Sequence, residues 1–199
     1  LNELQKRAVE MIVSCSNVQE PEAIQNGDKT LVLVGRGGTG KSTTLNAAIC
    51  FLEEIHGVGC VLKLATTGMA ATVINGSTLH SKQYGLGLPV GNEPWKGKEG
   101  IKSTQLASLQ ERLKNIRAVF LDEYSMLRAR ELHYTNCILQ CAMANDLPFG
   151  GLVFGLMGDP GQNPPVAGVS LWAGTTGSEH PDDAKGKLLY RSLFKNVIE

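Results

Sequence analysis

LVLVGRGGTGKSTTL, residues 31–45, sets four apolar residues ahead of a glycine-rich turn and then a lysine, a serine and two threonines. The apolar run has the composition of a buried strand, the glycines permit a tight backbone curl, and the continuation KSTTLNAAICFL carries apolar residues at helical spacing. Strand, glycine loop and helix in this order make a phosphate cradle, because successive backbone N–H groups and the positive helix end surround anionic oxygens. Gly35, Gly40, Lys41 and Ser42 fit the spacing GxxxxGK(S/T), which directs Lys41 to terminal phosphates and Ser42 to a magnesium ion. A glycine turn that merely joined two elements would leave the lysine and the hydroxyl unexplained. The motif implies a nucleotide and leaves the reaction open.

Outward from this loop, TLVLV (30–34), CVLKLAT (60–66), AVFLD (118–122) and LVFGLMG (152–158) read as buried strands. Helical spacing falls at 3–14, 41–55, 68–75, 103–116 and 127–142. Strands separated by helices need crossover connections, so the expected fold is a three-layer α/β domain around a mainly parallel central sheet. Two stretches break the rhythm: 84–100 and 173–187 are rich in Gly and polar residues without a period, and both read as surface loops.

A phosphate cradle needs a partner carboxylate, and the strand AVFLD ends at Asp122, with Glu123 next. Asp122 is placed to hold the magnesium ion and Glu123 to polarise the water that attacks a terminal phosphate. An adjacent acidic pair is otherwise a solvated strand end. The apolar residues before it favour the catalytic reading, since ligands bind at the carboxyl ends of strands in open parallel sheets. Gln162, in GLMGDPGQNPPV (155–166), both donates and accepts hydrogen bonds and suits a sensor of the terminal phosphate. A simple turn would also account for the GDPG within that segment.

The 199 residues suit one domain, and 42% apolar with 19% charged residues suits a globular chain rather than a disordered one. A formal net charge of zero argues against a broad electrostatic footprint on nucleic acid, so any DNA contact must be local. The apolar runs have strand length, which argues against a membrane span. Five cysteines, Cys15, Cys50, Cys60, Cys137 and Cys141, lack the paired spacing of a zinc site and read as reduced thiols.

Taken in order, LNELQKRAVE, GRGGTGKST, TTGMAATVINGSTLHS, FLDEYSM, LPFGG and MGDPGQNPPV resemble the Pif-type (petite integration frequency) DNA helicases of superfamily one, including those of Helitron transposons. The resemblance implies a RecA-like P-loop NTPase fold, ATP and Mg2+ as cofactors, and single-stranded or forked DNA as partner. It matches Gly35, Gly37, Gly38, Thr39, Gly40, Lys41, Ser42 and Thr43 to the triphosphate loop, and Gln5 to the adenine-recognising glutamine. Asp122 and Glu123 match the magnesium and water-activating acids, and Gln162 the phosphate sensor. Thr67, Gly68, Thr78 and His80 match the segment that lies against single-stranded DNA, where small hydroxyls and an imidazole bond phosphates without much positive charge. His80 could alternatively be a core histidine with a backbone partner. Trp95 or Tyr84, in the 84–100 stretch, are candidates to stack on a base. Asn163 stands where the family has a leucine, and Tyr124 where it has a smaller aliphatic residue.

The last segment, GKLLYRSLFKNVIE, resembles the family's passage out of its first motor domain, so residues 1–199 are expected to form that domain without the second. The resemblance also implies an intracellular role in DNA repair or recombination, in nucleus, mitochondrion or a mobile element. Two other readings of the phosphate loop are a phosphotransferase acting on a small molecule and a non-catalytic nucleotide-binding remnant of a mobile element.

Overall fold

The computed structural model describes all residues except 91, 92, 94, 167 and 175–178. The stretches 84–100 and 173–187 are therefore described only in part.

Helices α1 (Glu3–Asn17) and α2 (Pro21–Gln25) precede strand β1 (Thr30–Val34) and helix α3 (Lys41–His56). Strand β2 (Val61–Ala65), helix α4 (Gly68–Val73), strand β3 (Ser77–Thr78) and helix α5 (Ser103–Leu113) follow. Strand β4 (Ala118–Asp122), helix α6 (Ala129–Met143), strand β5 (Val153–Gly158), helix α7 (Pro181–Leu193) and strand β6 (Asn196–Ile198) complete the described elements. The six strands form one sheet in the order β3-β2-β4-β5-β1-β6, and every pair is parallel.

Strand residues alternate between two cores, as the two-residue period of a pleated strand requires. Val32, Val119, Leu121, Phe154 and Leu156 point into a core shared with α5, α6 and α7. Leu31, Leu33, Ala118, Phe120, Val153 and Met157 point the other way, against Ala8, Val9 and Ile12 of α1 and Leu45, Ala48 and Leu52 of α3. The expected three-layer α/β fold with a parallel central sheet is therefore observed. Each large side chain buried this way contributes about 1.5–3 kcal/mol over its exposed state.

The sheet order matters for function. Strand β5 lies between β1 and β4, so the segments leaving these three strands emerge side by side at one edge. The register sets Val34 opposite Gly158 on one side of β5 and Leu121 opposite Leu156 on the other.

The LPFGG segment braces the start of β5 from below. Phe149 is fully buried and stacks on Phe154 with ring centroids 4.0 Å apart. Its backbone is left-handed (φ 50°), and its amide donates to the Asn136 Oδ1 atom of α6 at 2.7 Å. The Lys29 ammonium donates to the Gly151 carbonyl at 3.0 Å, tying the entry of β1 to the same turn.

The expectation of a loop over 173–187 is corrected by α7, which begins at Pro181. Proline at the first helical position is pre-set for a helix, and Asp182 and Asp183 complement the positive end of its dipole. The His180 Nδ1 atom accepts the Asp182 amide as a cap at 3.2 Å. Gly186, which reads as a loop signal, is needed for packing, because a Cβ there would overlap the Ala129 carbonyl of α6. Asp183, fully buried, accepts the Arg130 Nε atom at 3.0 Å, its Nη2 atom at 2.6 Å and its backbone amide at 3.0 Å.

Among its described residues the stretch 84–100 has one short helical turn, at Lys98–Gly100, but it is not all surface, since Leu86 and Leu88 are fully buried. Trp95 stacks on Tyr134 of α6 at 4.8 Å, so its ring already has a partner, while Tyr84 remains exposed. Short elements that lack a strong period, α2, β3 and β6, were not expected from the sequence. The helices expected at 68–75, 103–116 and 127–142 are observed with shorter or shifted ends.

Candidate nucleotide and nucleic-acid site

The backbone after β1 turns away from the sheet at Gly35, whose amide donates to the Gly158 carbonyl at the end of β5 at 3.1 Å. Residues 36–39 are exposed. Within the loop, the Thr39 hydroxyl donates to the Arg36 carbonyl at 2.8 Å. Gly40 caps α3 in a left-handed conformation (φ 89°) that a residue with a Cβ adopts only with strain. No side chain caps this helix, so its first-turn amides are left to another acceptor. Lys41 opens the helix, and its ammonium folds back over the loop, donating to the carbonyls of Gly35 at 2.5 Å and Arg36 at 3.1 Å. Ser42 and Thr43 are exposed on the first turn.

Gln5 reaches this loop from α1. Its amide donates to Asn2 Oδ1 at 2.8 Å, and its Oε1 accepts the Asn2 amide at 2.9 Å, a reciprocal cap that fixes the side chain. Its Nε2 lies against Gly40, in the space a Cβ would fill.

The acidic pair sits two strands away. Asp122 ends β4 with 8% of its surface exposed, and its Oδ1 accepts the Glu123 amide at 2.9 Å. Burial pushes the Asp122 carboxyl above the usual range, against the Glu123 amide and the Lys41 charge, which pull it down. Burial likewise raises Glu123, helped by Asp122 and Asp159 and opposed by Lys41. Lys41 is thus close enough to act on both carboxyls across the carboxyl edge of the sheet. Glu123 itself is left-handed (φ 57°, ψ 43°), a conformation that costs a non-glycine residue on the order of 1 kcal/mol and clusters at functional sites. The Thr66 hydroxyl donates to its carbonyl at 3.1 Å, holding the strained turn from the end of β2.

Asp159, which reads in the sequence as part of a turn, joins the candidate site. It follows β5 directly, its Oδ1 accepts the Gly161 amide at 2.9 Å, and its charge adds to the upward shift of Glu123. Its place one residue beyond a strand end was the available signal. Gln162 is exposed three residues later, its amide donating to the Asp159 carbonyl at 3.1 Å.

The candidate DNA-facing residues gather at the carboxyl ends of β2 and β3. Thr67 caps α4, its Oγ1 accepting the Ala70 amide at 3.2 Å, and Gly68 is the exposed first residue of that helix. Thr78 ends β3 half-buried. The His80 ring faces two oxygens, the Leu88 carbonyl at Nδ1 (3.3 Å) and Glu131 Oε1 at Nε2 (3.4 Å). Only the imidazolium donates from both nitrogens, and the Glu131 contact raises the His80 pKa against the opposing effect of burial. His80 thus has the backbone partner of a core histidine and also lines a cavity with Thr66, Thr67 and Arg128. Arg128 and Glu131 were not anticipated from the sequence, because neither belongs to a spacing that signals a site.

A parallel α/β sheet whose glycine loop, acidic pair and Gln162 segment converge on one edge defines a P-loop NTPase domain of the RecA-like type. The PIF1-like helicase family profile matches residues 1–171, and the chain belongs to that family. It is 36% identical over 138 residues to the ATP-dependent DNA helicase Pif1 of Psychrobacter sp. (strain PRwf-1), covering 69% of this chain and 20% of that protein. The crystal structure of Pif1 helicase from Candida albicans superposes with a TM-score of 0.70 at 26% identity, covering 100% of this chain and 39% of that one. Bacteroides Pif1 bound to ssDNA gives a TM-score of 0.57 at 26% identity, over 84% of this chain and 34% of the other. The chain thus spans about a fifth of the length of the curated relative and a little over a third of these solved chains. Among the described residues no helix is long and apolar enough to cross a membrane.

Proposed function

We propose that residues 1–199 form the first motor domain of an ATP-dependent DNA helicase, binding Mg-ATP and single-stranded DNA and coupling hydrolysis to strand movement. The observation that carries this reading is the sheet order, which sets the glycine loop and Lys41 after β1 on the same carboxyl edge as the Asp122–Glu123 pair at the end of β4.

In this reading Lys41 leaves the loop carbonyls to bind the terminal phosphates, and the uncapped amides of α3 take the remaining oxygens. Gln5, fixed beside Gly40, is the residue that reads the adenine. The donor set suits a magnesium ion: Ser42 offers an exposed hydroxyl, and Asp122 offers a buried carboxylate with one oxygen free of the Glu123 amide. A bound magnesium would neutralise phosphate charge. Glu123, raised toward neutral pH, is a stronger base than an ordinary glutamate and accepts the proton of the attacking water. Gln162 hydrogen-bonds the terminal phosphate and reports its loss. Thr67, Gly68, Thr78 and His80 contact DNA phosphates.

Translocation on this reading engages a second motor domain, closing over the nucleotide and contributing arginine to the transition state, an effect worth ~10³–10⁵ in rate for arginine fingers. A DNA substrate places the protein inside the cell, wherever DNA is held. Isothermal titration with a nonhydrolysable ATP analogue and magnesium tests the base of the proposal. Saturable binding that Lys41→Ala weakens is expected, and no heat of binding in the wild-type chain would end it.

A further inference from the structure

A cavity of about 240 Å³ opens between the ends of β2 and β3, the start of α6 and the segment after β5. Thr66, Thr67, His80, Arg128 and Val166 line it, with Glu131 at its wall. Glu131 lies in the first turn of α6 with 5% of its surface exposed. Its Oε1 accepts Arg128 Nε at 2.9 Å and Nη2 at 2.7 Å, its Oε2 accepts the Arg128 amide at 2.9 Å, and Oε1 also faces His80 Nε2 at 3.4 Å. One buried carboxylate therefore orders two basic groups from separate elements.

The charge balance follows from this arrangement. With His80 protonated, the three groups carry two positive charges and one negative, and with His80 neutral they carry none in sum. The basic side chains, neighbouring hydroxyls and the apolar wall of Leu79, Met126 and Val166 suit a singly charged phosphodiester. A metal ion would meet like charge there, and among the described lining residues there is no Phe, Tyr or Trp to stack a base.

We propose that Glu131 is a positioning residue that holds Arg128 and His80 against this cavity, forming a phosphodiester subsite whose net charge depends on the protonation of His80. The proposal rests on the DNA-binding reading given above and deepens it. Glu131 does not touch the strand. It orients the two groups that do, and its carboxylate favours the protonated imidazole. Among the described residues the charged groups facing the ring are Glu131 in the first turn of α6, which favours its protonation, and Arg128 at the cap of that helix, which opposes it; the Leu88 carbonyl adds a further acceptor.

The test measures two quantities on the whole chain. NMR follows the His80 ring through its titration without DNA, and fluorescence anisotropy follows binding of a labelled oligothymidylate at one fixed low salt concentration. Both run across about pH 5.5–8.5, the range in which histidine changes charge. Affinity is expected to fall roughly tenfold as His80 deprotonates, the worth of one charge-assisted bond. Glu131→Gln is expected to move the His80 midpoint and the binding midpoint together to lower pH. His80→Gln is expected to bind without that pH dependence, which keeps the test decisive if Glu131→Gln does not fold. The inference is overturned if the oligonucleotide binds with no pH dependence, or if His80→Gln keeps the wild-type profile. It is equally overturned if Glu131→Gln leaves both midpoints in place. Failure of the wild-type chain to bind the oligonucleotide at any pH, with His80 titrating normally, removes the DNA reading and the subsite with it.

Discussion

The Gly35 amide donates to the Gly158 carbonyl at 3.1 Å, so the glycine loop after β1 and the segment carrying Gln162 after β5 leave the sheet from one bonded pair. On the other side of β5, Asp122 and Glu123 leave β4 at the same edge.

Lys41 makes its described hydrogen bonds to the loop it springs from, the carbonyls of Gly35 and Arg36. Lys41→Ala should therefore leave the thermal midpoint nearly unchanged while removing a charge-assisted contact to phosphate. The loss is expected at roughly 10- to 100-fold in affinity for a nonhydrolysable ATP analogue, read by titration calorimetry.

Asp122 and Glu123 both hold their protons more tightly in the fold than in an unfolded chain. Groups of this kind favour folding at acid pH, below the ordinary carboxylate range, and that contribution is lost as pH rises through their raised folded values. Asp122→Asn keeps an oxygen for the Glu123 amide and removes a buried charge. It is expected to stabilise the domain at neutral pH by about 0.5–2 kcal/mol while abolishing metal-dependent turnover. Urea melts of both proteins from acid to neutral pH check the sign, because the gain must shrink toward acid pH.

The docking of α7 rests on Asp183, fully buried, against Arg130, whose side chain is 27% exposed. Asp183→Ala leaves a half-buried guanidinium without its main partner, at a cost of roughly 3 kcal/mol, toward the lower end for broken buried pairs because Arg130 can reach water. Gly186→Val should also lower stability, by overlap with Ala129. In both variants hydrogen exchange should speed up first in α7 and in β6, which follows it directly.

All five cysteines are free, and Cys50 is the exposed one. Cys15, Cys60 and Cys137 are buried, and burial pushes the Cys15 thiol up to about 11. A thiol reagent at neutral pH should therefore label Cys50 rapidly in the native protein and the buried three only on unfolding. Mass spectrometry of peptides after timed labelling reads the order directly.

Much of this architecture is legible in local spacing. The strands at β1, β2, β4 and β5 and the helices that follow β1 and β2 show in the sequence because a buried strand and an amphipathic helix each write their own period into adjacent residues. The candidates Asp122 and Glu123 are legible for a related reason, since they stand at a strand end that the apolar run announces, and Lys41 is legible from the glycine spacing before it. Gly186 reads as a turn residue within 173–187, but its smallness serves a helix contact with Ala129, so α7 occupies the end of a stretch expected to be loop.

What local spacing does not carry is which strands become neighbours. The insertion of β5 between β1 and β4, the third carboxylate of Asp159 beside Glu123, the stack of Trp95 on Tyr134 and the grip of Glu131 on His80 all join residues far apart in the chain. Such contacts are chosen by packing and by the need to satisfy buried charge, and they leave no period for a linear reading to find. The chemical parts are thus written in short segments, whereas their mutual placement, and the shifted acidities that follow from it, arise when the two cores close on the sheet.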